Sequence, residues 1–332
     1  MSGAFPYDPG RRPAQPPTPP ADAFAVHRAA LATGLELAYV HEGAGGAPLL
    51  LLHGCPETKR LWWRNIGPLA EAGFEVIAPD FRGVGDSGPA PDDVHDIAAY
   101  AKDVHALVAE HLGHETCVVA AGDLGGVVAT DLIHRYPGFV TGNCAFNTVP
   151  PMGADYAAAG LDLAAFSALH RGSTGDYRVW QGAKPDELAA ILNTPEARRL
   201  WVAGVFRSRL WASPGSFSDS EVDFQTEPFA DEACLRASWA PYQLAHGRPM
   251  SELPLSDAVD VPTLVLYGAD DHVIGPDFLV YAEAAYTNRI GPLVVAGAGH
   301  FLPWERADIF NTLLPAVFPP VHDGRGRSGQ RC

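Results

Sequence analysis

The chain has 332 residues, of which 47% are hydrophobic, and its formal net charge at pH 7 is -16. This length is ample for one large core, or for one core with a second lobe. The acidic balance argues against nucleic acid and anionic membranes as partners. No uninterrupted apolar stretch is long enough to span a bilayer.

Both ends of the chain have the composition of unstructured segments. Residues 1–24 are rich in proline, glycine and alanine, so we predict a disordered or strap-like lead and no secretory signal. Residues 321–332 predict a flexible tail. The five cysteines show no CxxC spacing, and no His, Cys and carboxylate cluster has metal-ligand spacing. We therefore expect a cytoplasmic protein that needs no metal and no cofactor.

Strand and helix signals alternate in the first half of the chain. Short apolar runs that end at glycine, proline or aspartate predict strands, and longer mixed segments between them predict helices. This alternation indicates an α/β fold with a mostly parallel sheet and helices on both faces. The predicted elements are strands at 49–52, 74–78 and 141–146, and helices at 63–72, 92–111 and 127–136.

The alternation is interrupted by a long helical segment that is rich in tryptophan. It resumes with strands at 261–267 and 292–296 and ends with a helix at 307–317. An insertion at this place in an α/β sheet predicts a helical cap, which excludes water and carries substrate contacts. The predicted domains are an α/β core at 25–146 and 261–320 and a cap at 147–260.

An aspartate occupies the centre of a predicted strand–turn–helix motif. Residues 117–128 combine an apolar strand, a glycine-flanked turn and the start of a helix, which is the pattern of a nucleophile elbow. Asp123 stands in the nucleophile position, although aspartate also suits a helix N-cap. A carboxylate that attacks a saturated carbon leaves an ester that water can cleave, whereas a serine would leave an ether. The motif therefore predicts displacement at the carbon of an epoxide or an alkyl halide.

A histidine and an acid follow the two later strands. His300 is the candidate base, because histidine alone has an unperturbed pKa near neutrality, about 6.5. Asp270 and Asp271 both offer a carboxylate that could orient the imidazole, and the Gly-x-x-Asp pattern favours Asp271.

The turn after the first apolar strand predicts an oxyanion hole. His53-Gly54-Cys55-Pro56 would bring the amide of Cys55 towards the nucleophile, where it would act together with the amide of Leu124. We expect His53 to be a structural hydrogen-bonding residue.

With these motifs the chain resembles the epoxide hydrolase branch of the α/β-hydrolase family, from about Ala25 to Phe318. The order nucleophile, acid, histidine is also that of the family. The resemblance implies that the Cys55–Pro56 peptide bond is cis. It rests on five segments in the family's order, at 53–56, 80–87, 122–126, 146–151 and 297–301.

The resemblance also implies two cap tyrosines that hold the epoxide oxygen, and by motif these are Tyr177 and Tyr242. Phenols can donate to the alkoxide that ring opening creates. The alternative is that both tyrosines only pack. The aromatic residues that we expect to bind an apolar substrate are Trp180, Trp239 and Phe301.

The sequence thus predicts an epoxide hydrolase that makes a vicinal diol from water and an apolar or aromatic epoxide. A haloalkane or haloacid dehalogenase with the same triad is the main alternative. Leu124 stands where haloalkane dehalogenases use a tryptophan to hold halide, and Leu124 and Val127 stand where fluoroacetate-type enzymes place arginines. A ligand-binding protein on a retained hydrolase fold is the third alternative.

Overall fold

The computed structural model describes residues 14–163 and 176–320, which contain one eight-stranded sheet. Its strand order is β1-β2-β4-β3-β5-β6-β7-β8. β2 runs antiparallel to both of its neighbours, and all other neighbouring pairs are parallel. The parallel strands therefore direct their carboxyl ends to one edge of the sheet. The strands are β1 Val26–Ala30, β2 Glu36–Glu42, β3 Ala47–Leu52, β4 Phe74–Pro79, β5 Cys117–Gly122, β6 Val140–Phe146, β7 Thr263–Gly268 and β8 Arg289–Val295.

The central strands are apolar on both faces, as expected for a parallel sheet that helices cover on each side. Leu50 and Leu52 of β3 belong to one hydrophobic cluster, whereas Leu49 and Leu51 belong to the other, and all four are fully buried. The helices of the α/β core are α1 Ile66–Glu71, α2 Ile97–His105, α3 Asp123–Arg135, α10 Phe278–Ala285, α11 Leu302–Glu305 and α12 Ala307–Val317.

Helices also follow β6 and precede β7, and residues 176–245 are called here the helical insertion. Several of its helices begin at a capping side chain: Thr194 accepts from the amide of Ala197, and Ser218 forms a capping box with Glu221. The insertion packs on the core, since its Phe206 and Trp239 share a buried cluster with Trp62 and Phe146. Its helices are α4 Tyr177–Ala183, α5 Pro185–Ile191, α6 Pro195–Arg207, α7 Asp219–Thr226, α8 Glu232–Ser238 and α9 Ala240–Ala245.

The α/β fold is confirmed, and the differences from the predicted elements lie mainly at their ends. The helix predicted from residue 92 begins at Ile97, because Asp96 caps it by accepting from the amide of Ala99. Beyond His105 it widens into a π-helical segment, Ala106–His111. The helix predicted at 63–72 is shorter and follows a 3-10 turn, Lys59–Trp62. β1 and β2 were not among the predicted strands, and β1 is an exposed edge strand with little apolar pattern.

Residues 14–24 lie across the core and the helical insertion. Thr18 Oγ1 donates to Glu221 Oε1 of α7 at 2.6 Å, and Trp63 Nε1 donates to the carbonyl of Pro20 at 2.9 Å. Residues 1–13 of the predicted lead, 164–175 of the predicted cap, and the tail at 321–332 lie outside the described residues. In the described part of the chain, no helix combines the length and apolarity that crossing a membrane requires.

Candidate active site

The turn between β5 and α3 holds Asp123 in a strained conformation. Its φ is 45°, a region that residues other than glycine rarely adopt. The backbone is fixed on both sides, since Asp123 N donates to the carbonyl of Asn147 at 3.0 Å and Thr148 Oγ1 donates to the carbonyl of Asp123 at 2.6 Å. A Cβ at Gly122 would lie 2.2 Å from the Phe146 ring, so only glycine fits there.

Asp123 is not the N-cap of α3. That position belongs to Gly122, and no side chain caps the helix. The side chain of Asp123 is 18% exposed, so it can meet a small molecule. Its place and exposure suit a nucleophile, and the N-cap alternative is wrong.

His300 stands between two carboxylates. Its Nδ1 lies 2.9 Å from Asp271 Oδ2, and its Nε2 lies 3.4 Å from Asp123 Oδ2. Asp271 is itself oriented, because its Oδ1 accepts from the amides of Val273 and Ile274. Asp270 instead accepts from Ser213 Oγ at 2.6 Å. The geometry therefore favours Asp271 over Asp270 as the acid that orients the imidazole.

The charges around His300 favour its protonated form. Burial disfavours the imidazolium, but Asp271 and Asp123 outweigh it and hold the pKa of His300 well above its ordinary value. If Asp123 became a neutral ester, one of these charges would disappear and the pKa of His300 would fall. Esterification of Asp123 would thus make the imidazole available as a base.

A backbone amide binds the carboxylate of Asp123. Cys55 N donates to Asp123 Oδ1 at 2.9 Å, and the Cys55–Pro56 bond is cis, as the resemblance implied. Leu124 lies in the first turn of α3, where amides have no partner within the helix. His53 Nε2 accepts from Phe81 N at 3.0 Å, which agrees with the structural role expected for this histidine.

Tyr177 and Tyr242 reach the site from α4 and α9. Their ring centroids are 5.6 Å apart in an edge-to-face arrangement, so the two side chains are direct neighbours. Burial raises the pKa of both phenols, and the negative charge of Asp123 raises it further. Both groups therefore lie within the field of Asp123 and remain protonated as donors.

The three predicted substrate-binding aromatics have different surroundings. Phe301 is fully buried and stacks on Phe206, with 4.6 Å between the ring centroids. Trp239 is also buried within the cluster that joins the insertion to the core. Trp180 is partly buried, with Lys184 Nζ 5.1 Å from its ring centroid. Because Phe301 and Trp239 are buried, their surroundings are those of core packing residues. The structure therefore does not support their predicted contacts with substrate.

Trp211 is a site residue that the sequence reasoning missed. Its ring meets the His300 ring edge-to-face at 4.8 Å, and its carbonyl accepts from His300 N at 2.6 Å. Trp211 lies in an irregular loop after α6, where no periodic pattern marks it.

Two polar residues that the sequence reasoning did not single out hold the loop of His300. Asn147 Nδ2 donates to the carbonyls of Gly299 and His300, and its Oδ1 accepts from Gly268 N at 2.8 Å. Glu305 accepts from the amides of Gly299 and Phe301, each at 3.0 Å. The available signal for Asn147 was a polar residue directly after an apolar strand.

Glu57 adds a buried carboxyl beside the turn of the predicted oxyanion hole. It accepts a hydrogen bond from Gly54 N, and its side chain is almost inaccessible to solvent. Burial raises the pKa of Glu57 to about 8, the charge on His300 counteracts this effect, and Asp123 adds to it. Within residues 14–163 and 176–320, no three His, Cys, Asp or Glu side chains are arranged to hold a metal ion.

Comparisons with known proteins point to one family. A family model described as the alpha/beta hydrolase fold matches residues 47–307. The soluble epoxide hydrolase of Corynebacterium sp. (strain C12) is 44% identical over 302 residues, which are 89% of this chain and 98% of that protein. A haloalkane dehalogenase of Bradyrhizobium diazoefficiens is 36% identical over 313 residues, covering 85% of this chain and 90% of its own length.

Solved structures with the same fold include the ligand-free epoxide hydrolase CorEH. It superposes with a TM-score of 0.71 at 24% identity, covering 89% of this chain and 98% of its own. Cfl2 from Burkholderia cenocepacia gives a TM-score of 0.69 at 25% identity, over 92% of this chain and 100% of its own.

Proposed function

Because this chain belongs to the α/β-hydrolase family and is a hydrolase of its epoxide hydrolase branch, we propose that it opens apolar epoxides to vicinal diols through an ester on Asp123. The observation that carries the proposal is the arrangement around this carboxylate. One oxygen of Asp123 accepts from the amide of Cys55, the other faces His300, and two phenols lie within range of its charge.

In the first step, Asp123 Oδ2 attacks an epoxide carbon and the carbon–oxygen bond of the ring breaks. The ring oxygen takes a proton from the phenol pair of Tyr177 and Tyr242, which leaves one tyrosinate and an uncharged hydroxyalkyl ester. The Cys55 amide fixes Oδ1 and so leaves Oδ2 free to attack.

In the second step, His300 passes the proton of its resting form through solvent to the tyrosinate, because its pKa falls once Asp123 is esterified. The neutral imidazole then takes a proton from water, and the hydroxide attacks the ester carbon of Asp123. The amides of Cys55 and Leu124 stabilise the negative oxygen of the tetrahedral intermediate. When it collapses, the diol oxygen leaves and takes the proton held by His300. The carboxylic acid that remains gives its proton to His300, which restores the carboxylate and the imidazolium of the resting site, so atoms and charges balance.

The phenols favour an epoxide over a halide. A halide leaves as a stable anion and needs only weak donors, whereas the epoxide oxygen remains attached and must be protonated. A leucine at 124 supplies no side-chain donor to a halide. The dehalogenase relative at 36% identity nevertheless makes carbon–halogen cleavage the second candidate function.

Parallel product assays test the proposal. The wild-type protein is incubated with aryl and alkyl epoxides and, separately, with haloalkanes and haloacids, and diol and halide are both measured. We expect diol from the wild type and none from Asp123→Ala, which removes the nucleophile. Halide release without diol would assign the dehalogenase function, and tight ligand binding without either product would assign a non-catalytic one.

A further inference from the structure

A cleft in the helical insertion is lined mainly by apolar residues, most of which have no part in the proposed reaction. Its volume is about 560 Å³, which is within the range of small-molecule sites. Ile191, Leu200, Trp201 and Leu210 contribute to its walls, which are formed by α4, α5, α6 and the loop after α6. No Asp, Glu, Lys, Arg or His is found among its described lining residues. This lining suits an uncharged, mainly apolar molecule.

The inner end of the cleft is formed by residues of the candidate active site. Tyr177 and Trp211 both line the cleft, and their ring centroids are 5.4 Å apart. The Tyr177 ring contacts that of Tyr242 at 5.6 Å, and the Trp211 ring contacts that of His300 at 4.8 Å. A molecule at this end of the cleft would contact Tyr177 and Trp211, whose rings are neighbours of Tyr242 and His300.

The outer end of the cleft reaches the surface. Ile191 and Leu200 are 61% and 69% exposed, although both are large apolar residues. Adjacent exposed apolar side chains on a protein surface typically mark a binding site. Because the other end is closed by residues of the active site, a small molecule that extends inwards fits the cleft better than a protein partner.

We propose that this cleft binds the substituent of the substrate and selects epoxides that carry an extended, uncharged apolar chain. The inference rests on the proposed function and deepens it. The reactive ring lies at the Tyr177 end, and the chain runs along α6 towards Leu200. Longer chains bury more apolar surface in the cleft, so they gain transition-state binding that short epoxides lack.

Gly204 of α6 offers a direct way to fill the cleft. It lines the cavity, and a Cβ built on it meets no atom within 4 Å. The first atom of a larger side chain there therefore enters open space. Alanine also improves helix propensity at this position, so Gly204→Trp can be compared with Gly204→Ala to separate cleft filling from a change in the helix.

The test compares a short epoxide, 1,2-epoxypropane, with a long one, 1,2-epoxydodecane. The ratio of kcat/KM for the long over the short epoxide should fall at least about tenfold in Gly204→Trp, and much less in Gly204→Ala. Glu196→Trp adds the same ring to the exposed first turn of α6 and should leave the ratio unchanged. An unchanged ratio in Gly204→Trp would overturn the inference.

A binding measurement separates failure of the cleft from failure of the proposed function. Calorimetry with 1,2-dodecanediol needs no turnover. If the wild type binds the diol and Gly204→Trp binds it at least about tenfold more weakly, the cleft is a binding site for the chain, even if no epoxide is hydrolysed. Equal affinity for both proteins, or no binding to the wild type, would overturn it. Thermal unfolding of each variant shows whether the fold is retained.

Discussion

The side-chain amide of Asn147 donates a hydrogen bond to the backbone carbonyl of His300 at 3.0 Å. The backbone carbonyl of Asn147 accepts from Asp123 N, so one residue connects the nucleophile turn to the loop of the base. Asn147 is fully buried and has a φ of 40°, which asparagine tolerates better than most residues. The distance between Asp123 and His300 thus depends on a residue that lies between them in the fold.

Removal of the Asn147 side chain should loosen this connection. Asn147→Ala leaves three buried backbone groups without a partner, and we expect a loss of unfolding free energy on the order of 3 kcal/mol and slower turnover. Asn147→Gly removes the same bonds but suits the positive φ, so it should be about 1 kcal/mol more stable than the alanine variant. Urea denaturation and steady-state kinetics measure both effects. Wild-type stability and turnover in Asn147→Gly would show that these bonds are dispensable.

The buried Glu57 predicts a pH dependence of stability. Its pKa is raised from 4.5 to about 8, mainly by burial. Between these values the unfolded chain has lost the proton and the folded chain keeps it. The free energy of unfolding therefore falls as pH rises through this window, by at most about 1.4 kcal/mol per pH unit from this group.

Glu57→Gln removes this titration and keeps an oxygen that can accept from Gly54 N. We expect the decline in unfolding free energy between about pH 5 and about pH 8 to be smaller in the variant than in the wild type. Urea denaturation at four pH values in this window measures it. Parallel pH profiles for the two proteins would rule out a protonated Glu57.

The two phenols should act in ring opening and not in ester hydrolysis. Tyr242→Phe and Tyr177→Phe keep the rings and remove the donors, so each should slow alkylation of Asp123 on the order of 10²-fold and spare the second step. Single-turnover kinetics separate the steps. Tyr156→Phe is a matched control, because the buried hydroxyl of Tyr156 donates to the carbonyl of Pro151. This variant should lose about 1 kcal/mol of stability, whereas alkylation of Asp123 should be as fast as in the wild type. Unchanged alkylation in both site variants would make the tyrosines packing residues.

Residues at the ends of strands could be predicted from the sequence, because strand and turn signals are local. Asp123, Asp271 and His300 each follow an apolar run, and the structure brings them together at one edge of the sheet. The contacts of Trp211 could not be predicted, because they depend on how the insertion packs on the core. Phe301 was selected by residue type, whereas its burial against Phe206 is a tertiary property.

The central claim is that Asp123 forms an ester that His300 is needed to hydrolyse. Attack requires only the carboxylate and the donors, whereas hydrolysis requires the base. His300→Gln should therefore accumulate the intermediate. The double variant Asp123→Ala with His300→Gln lacks the nucleophile and is the control for non-specific modification.

Intact-mass spectrometry of His300→Gln after mixing with an epoxide that the wild type hydrolyses tests this claim most directly. We expect a protein heavier by the mass of one substrate molecule, with no such increase in the double variant. An unmodified mass in His300→Gln, together with no burst of product, would contradict it.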